Sequence, residues 1–316
     1  MFKFDIQRFG SGRFSASDWV SYKSEKLDFK STKEVFSTFR AKKEFIPNSS
    51  MIRESCDSLD NPNSTPIIIA CDVSGSMSPV LDRIVRTELP EFISYMYERK
   101  PISDPHLMFM GVGDVEAGDN YPIQVTQFEA DIRIAEQLSE IYLEEGGGCN
   151  DHESYLLPLW FAKNHTKIDS MKKRNKKGYL FTMGDESPQY RLSKNMIEKA
   201  IEGEKVQFEE ISAEDLLTDV SKEWNVFHLL LEEGYYARRY LDECKEQWRK
   251  LYGQHVLFVS DISKISEIIT STIQLVEGDS KDKVIKSWDG STSLVVQHAL
   301  QEVDEYNSDS TGLIEF

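Results

Sequence analysis

The chain has 316 residues, 40% of them hydrophobic, and a formal net charge of -17. That is enough apolar content for a sizeable core in one large or two small domains, and the acidic excess argues against a general nucleic-acid surface and against attraction to anionic lipid. Cys56, Cys71, Cys149 and Cys244 are scattered with no CxxC pair, "MFKFDIQRFGSGRF" lacks an apolar signal core, and no apolar run approaches the ~20 residues that span a bilayer. The expectation is a cytoplasmic protein with no disulfide framework, no structural zinc and no membrane partner.

In chain order, residues 1–60 read as an N-terminal arm with a helical or irregular extension, closed by the loop "SLDNPNSTP". "IIIACDVSGSM" follows, five apolar residues running into Asp72, Ser74 and Ser76. Pro66, Gly75 and Pro79 bound the run, so it reads as a short central strand with its polar trio just past the carboxyl end. Leu81, Ile84, Val85, Leu89, Phe92, Ile93 and Met96 then recur at helical spacing. "HLMFMGVG" is a second strand and "PIQVTQFE" a partly exposed one, suited to an edge. Ile132, Ala135, Leu138 and Ile141 mark a short helix.

The loop "EEGGGCNDHES" precedes an apolar helix through Leu156, Leu159 and Trp160. "GYLFTMGDESP" supplies a strand that again ends at an aspartate, Asp185. "EEISAEDLLTDVSKEW" reads as an amphipathic helix packed on the domain through Leu216, Leu217 and Val220. "WNVFHLLL" and "HVLFVS" are two further strands, separated by a helix that includes Tyr240, Leu241, Cys244 and Trp248, and "ISKISEIITSTIQL" is a final helix of the unit. The basic "MKKRNKK" reads as a solvated connection, and "SWDGSTSLVVQHAL" as an edge strand or a helix. This alternation gives an α/β class: an open, mainly parallel central sheet with helices on both faces, a three-layer sandwich of the Rossmann kind. Right-handed crossovers bring the strands' carboxyl ends to one rim.

With Asp72, Ser74, Gly75 and Ser76 forming DxSGS at a strand end, the sequence resembles a von Willebrand factor type A (VWA) domain over roughly residues 65–275. The resemblance implies domains at 1–60, 61–275 and 276–316, the middle one VWA-like and the last a C-terminal extension. It also implies a metal-ion-dependent adhesion site: Mg2+ or Mn2+ on the hydroxyls of Ser74 and Ser76, coordinating water held by Asp72, and a later aspartate corresponding to Asp185. The family's threonine follows the glycines of a later loop, where this chain has Gly147, Gly148 and then Cys149. Sulfur suits such a hard ion poorly, so Asn150, Asp151 or a water held by one of them takes the role, or the loop recognises a partner instead. His152 reads as a loop or cap residue, and Asp114 either approaches the rim, caps its own loop or faces solvent.

Residue chemistry agrees with the metal reading, because Mg2+ favours about six oxygens at roughly 2.0–2.1 Å. The competing reading of DxSGS is a turn in which aspartate and serines bond their own backbone. A protein partner's Asp or Glu carboxylate completes the ion's shell in the resembled family, whose bacterial members often work beside AAA-type ATPases. The expectation is therefore a metal-dependent protein-binding module and not an enzyme. The alternative is a magnesium-dependent hydrolase of a phosphate ester or nucleic acid, which would use the ion to orient water but lacks a persuasive general base.

Overall fold

A computed structural model describes residues 15–144 and 152–304. Its strands are β1 (Arg53–Ser55), β2 (Thr65–Asp72), β3 (Pro105–Val112), β4 (Ile123–Val125), β5 (Thr166–Ile168), β6 (Gly178–Gly184), β7 (Arg191–Ser193), β8 (Glu210–Ser212), β9 (Trp224–Leu231) and β10 (Val256–Val259). Six of them form one sheet in the order β10-β9-β6-β2-β3-β4, parallel except for the β3–β4 pair. Helices cover both faces, so the architecture is the Rossmann or VWA-like three-layer sandwich that the alternating elements call for.

The pleat explains why the central strands read as unbroken apolar runs. Ile67, Ile69 and Cys71 of β2 face one buried cluster, while Ile68 and Ala70 face the other. Phe109 against Met108, and Phe181 against Leu180, divide in the same way. A strand covered on both sides has no solvent face to mark with polar residues. Pro66 fits because it lies at the start of β2, before pairing with β6 begins at Ile67 and Tyr179, so its missing N–H costs no bond to that neighbour.

One helical layer includes Ser78–Arg83, Leu89–Arg99 and Ile265–Val276. All seven apolar positions from Leu81 to Met96 are buried as the spacing predicts. The helix is not regular, however: a wider turn runs over Ile84–Glu88 just before Pro90. Proline has no N–H for the helical ladder, which accounts for the slipped register there. The opposite layer includes Leu156–Asn164, Ala213–Val220 and Ala237–Tyr252, burying Leu159, Leu216, Cys244 and Trp248. Within Ala237–Tyr252 the backbone breaks at Tyr240, which is about half exposed and packs its ring against Tyr236.

Beyond the central unit, Tyr22, Leu27, Val35 and Phe36 share a buried cluster with Ile69 and Phe181, as do Val284, Trp288 and Val296. The "SWDGSTSLVVQHAL" stretch is helical over Gly290–Ala299. Lys173 and Arg174 of the basic stretch pair with Asp57, and Lys176 pairs with Glu277. Among the described residues no helix is long and apolar enough to cross a membrane.

Strand order fixes where a site belongs. From β2 the chain moves to β3 on one side and later returns to β6 on the other. In open α/β sheets such a reversal is where the connections diverge and ligands bind, which here is at the carboxyl ends of β2 and β6. Asp72 ends β2, and Asp185 immediately follows β6.

Candidate metal-binding rim

Asp72 is fully buried, and its two oxygens differ. Oδ1 accepts the Ser74 N–H at 2.6 Å, while Oδ2 has no hydrogen-bond partner. The local turn weighed against a metal site is therefore present, and it consumes one oxygen only. Ser74 is nearly buried and Ser76 exposed, with their hydroxyls 3.1 Å apart. Gly75 separates them at the start of the single turn Gly75–Met77 that leads into the Ser78–Arg83 helix.

Asp185 is 2% exposed, and its Oδ2 accepts the Tyr236 N–H at 2.8 Å. Two glycines make room for this arrangement. A Cβ at Gly234 would run into the Asp185 carboxylate, and one at Gly184 would meet the Tyr155 hydroxyl. Close approach, and not backbone freedom, is what requires glycine at both positions.

The electrostatics follow from packing acids into a dry rim. Burial pushes the Asp72 carboxyl up; the Ser74 hydrogen bonds oppose this, and the charges of Asp185 and Asp119 add to it. Burial also raises Asp185 against the backbone N–H groups that lower it. A lone ionised carboxylate in such surroundings lacks the partner that water would supply.

One further residue here was not marked by the sequence pattern. Glu153 is 3% exposed, its Oε2 has no partner, and burial followed by the charge of Asp72 pushes its carboxyl well up. Next to it, Ser154 fastens the segment to the loop after β3: its N–H donates to the Gly113 carbonyl at 3.2 Å, and its hydroxyl accepts the Val115 N–H at 3.1 Å. A buried glutamate just ahead of an apolar helix looks in sequence like an ordinary cap.

Asp114 is 1% exposed and accepts the N–H groups of Glu116 and Ala117, so it caps its own loop. His152 pairs with Glu116 at 2.8 Å. Gly147, Gly148, Cys149, Asn150 and Asp151 lie outside the described residues.

A second acidic group sits away from the rim, where the Leu89–Arg99 and Ile265–Val276 helices meet. Glu88, Glu91 and Glu267 each offer an oxygen within 4.8 Å of the others, a set that could coordinate a divalent ion. Its oxygens are partly taken, and Glu267 Oε2 is buried without a hydrogen-bond partner. Arg83 donates to Glu88 Oε1 at 2.9 Å, the Ser266 hydroxyl donates to Glu88 Oε2 at 2.5 Å, and Lys264 donates to Glu267 Oε1 at 2.9 Å.

No protein-family model matches the chain, and no curated protein matches it in sequence. Among solved structures, the pilus adhesin SpaC from Lactobacillus rhamnosus GG in its open conformation is similar at 10% identity and TM-score 0.44, over 72% of this chain and 31% of the adhesin chain. Another crystal form of the same adhesin aligns at 8% identity and TM-score 0.45, over 72% of this chain and 32% of that one. The chain thus spans about a third of the adhesin's length. Likeness at this level speaks to neither ligand nor partner, and the fold assignment rests on the sheet order itself.

The comparison does correct the cytoplasmic expectation. The similar structures are of pilus adhesins and not of cytoplasmic proteins. That expectation leaned on scattered cysteines, and the lack of a disulfide among Cys56, Cys71 and Cys244 does not define a compartment.

Proposed function

We propose that the rim of β2 and β6 is a metal-ion-dependent adhesion site of the VWA kind, and that the ion it holds recruits a protein partner. In this reading Ser74 and Ser76 ligate Mg2+ or Mn2+ through their hydroxyls, and Asp72 and Asp185 hold the ion directly or through water. The carrying observation is Asp72 Oδ2, buried without a partner beside two hydroxyls 3.1 Å apart. An orphaned carboxylate oxygen is costly unless something cationic meets it. Adjacent ligands of an octahedral ion at about 2.0–2.1 Å lie about 3 Å apart, which suits this hydroxyl pair without rearrangement.

Within this reading each residue has a separate task. The Ser74 N–H fixes the Asp72 carboxylate, the Tyr236 N–H orients Asp185, and Ser76, the exposed member, stands nearest the surface that a partner would meet. When bound, the ion supplies a positive charge to which a partner's Asp or Glu carboxylate can bind in place of water. An AAA-type ATPase as that partner rests on the sequence resemblance alone. The hydrolase alternative rests on what a hydrated ion can do in general.

Affinity capture from native lysate with the full chain tests the proposal, in Mg2+, in EDTA and with Asp72→Ala in Mg2+. A partner held only by the native chain in Mg2+ is expected. Equal retention in all three would overturn metal-dependent recruitment, and metal-dependent ester cleavage lost in Asp72→Ala would move the function to the hydrolase.

A further inference from the structure

We infer that the cavity at the amino ends of β2 and β3 is a binding site for a small organic amine in its protonated form, held by the side chains of Asn61 and His106 within an acidic wall. The site lies at the opposite end of these parallel strands from Asp72, and the inference does not depend on the rim.

Three observations carry it. The cavity holds about 430 Å³, a size that suits a small molecule. Two buried side chains that line it are short of partners. Asn61 is 5% exposed; its N–H donates to the Ser58 hydroxyl at 3.0 Å and its carbonyl accepts the Ser58 N–H at 2.9 Å, while its side-chain amide forms no hydrogen bond among the described residues. His106 is 9% exposed, with Nδ1 3.1 Å from the Ser55 hydroxyl and Nε2 unbonded. Burial pushes its imidazole down against the charges of Asp104 and Asp57, which favours the neutral ring; when Nδ1–H donates to Ser55, Nε2 is an acceptor. A buried polar group without a bond is costly, and a ligand that donates to both groups removes that cost.

The third observation is charge. Glu54, Asp57, Asp60 and Glu129 line the cavity, with Arg133 as the cation of the lining. Lys173 and Arg174 reach Asp57 from outside, and Lys167 stands 4.0 Å from Glu54. Arg133 is shared between Glu129 and Asp131, however, and Lys173 between Asp57 and Asp169, so the carboxylates outnumber these cations. The Cys56 thiol, also in the lining, is pushed up by burial and then by the charges of Asp169 and Glu54. Such a wall disfavours a phosphate or carboxylate ligand and suits an ammonium group, while Phe128 supplies an apolar side for the ligand's carbon frame. The fold fixes these walls: Asp57 Oδ1 accepts the Ser64 N–H at 3.1 Å and its hydroxyl at 2.8 Å, Asp104 accepts the Asn63 N–H at 2.9 Å, and Glu129 pairs backbone to backbone with Leu107.

The test is calorimetric titration of the full chain with benzylamine as the probe, and with benzyl alcohol and benzoate as its neutral and anionic counterparts. The native protein, Asn61→Ala, Glu54→Gln and Asp72→Ala are compared, each checked for a native circular dichroism spectrum. The site predicts saturable benzylamine binding at least about tenfold tighter than that of benzyl alcohol, and no binding of benzoate. Loss of one hydrogen bond to a charged group should weaken benzylamine roughly 10- to 100-fold in Asn61→Ala. Removing an exposed wall charge in Glu54→Gln should weaken it about two- to fivefold, and Asp72→Ala should bind it as the native chain does. No benzylamine binding to the native chain, or benzyl alcohol or benzoate bound as tightly, would overturn the inference. So would native affinity in both Asn61→Ala and Glu54→Gln, and a loss confined to Asp72→Ala would assign the amine to the rim instead. If Asn61→Ala does not fold, Glu54→Gln decides by the same criterion.

Discussion

At the rim, Asp72 presents a buried oxygen that nothing meets, whereas at the helix contact Glu88 has one oxygen on Arg83 and the other on Ser266. Both places gather carboxylates, and the spacing of Glu88, Glu91 and Glu267 is the more compact in appearance. What separates them is the supply of donors. The helix contact brings Arg83, Lys264 and Ser266 to its acids and leaves Glu267 Oε2 as its one buried oxygen without a partner among the described residues. At the rim the hydrogen-bond partners seen for Asp72 and Asp185 are the backbone N–H groups of Ser74 and Tyr236. Density of carboxylates marks a place where a cation would be welcome, and the cationic side chains already paired with them tell how far the chain supplies it.

The largest effects should therefore differ in sign. Glu88→Ala removes a buried, paired carboxylate and strands Arg83 and Ser266, and it should cost about 3 kcal/mol in urea unfolding. Asp72→Asn, measured without metal, should leave stability unchanged or raise it. A loss at Asp72→Asn as large as that of Glu88→Ala would break the contrast, since it would mean that the Asp72 charge is already satisfied by the protein.

Next in size is Gly234→Ala. The added methyl has to displace the Asp185 carboxylate, which should cost about 2 kcal/mol as overpacking and weaken Mn2+ binding at the same time. Unchanged stability and affinity would show that Asp185 is not confined as described.

Titration sharpens the contrast further. Asp72 and Asp185 both have folded values raised above those of free carboxylates, chiefly by burial. For raised acids, the folded state binds more protons than the unfolded one, so their contribution is full below roughly pH 4 and is lost as pH rises through the folded values. The metal-free native chain should lose on the order of 1–2 kcal/mol relative to Asp72→Asn between mildly acidic and neutral pH, and saturating Mn2+ should remove that slope. A pH-independent difference between the two chains would contradict the unpartnered state of Asp72. The smallest expected change is Ser266→Ala, about 1 kcal/mol for one lost hydrogen bond to Glu88, readable in the same urea curves.

These contrasts also show how much the chain displayed in one dimension. Six sheet strands were legible because short apolar runs bounded by Gly, Pro or polar residues are what a doubly covered sheet needs, and Asp72 and Asp185 stood out by following such runs directly. Other features depend on contacts between distant segments. Glu153 has no periodic signal of its own and becomes notable only when Ser154 pins it to Gly113 and Val115. Glu267 meets Glu88 across 179 residues of chain, and the irregular turn at Ile84–Glu88 arises from Pro90 within an otherwise regular apolar stripe. The three-residue strands β1, β5, β7 and β8 are too short to show alternation.

The most direct measurement is anomalous diffraction from crystals of the full chain soaked in Mn2+, which locates the ion without reference to activity. The account predicts a peak at the rim, against the hydroxyls of Ser74 and Ser76 and the carboxylates of Asp72 and Asp185. A peak confined to Glu88, Glu91 and Glu267, with none at the rim, would contradict it.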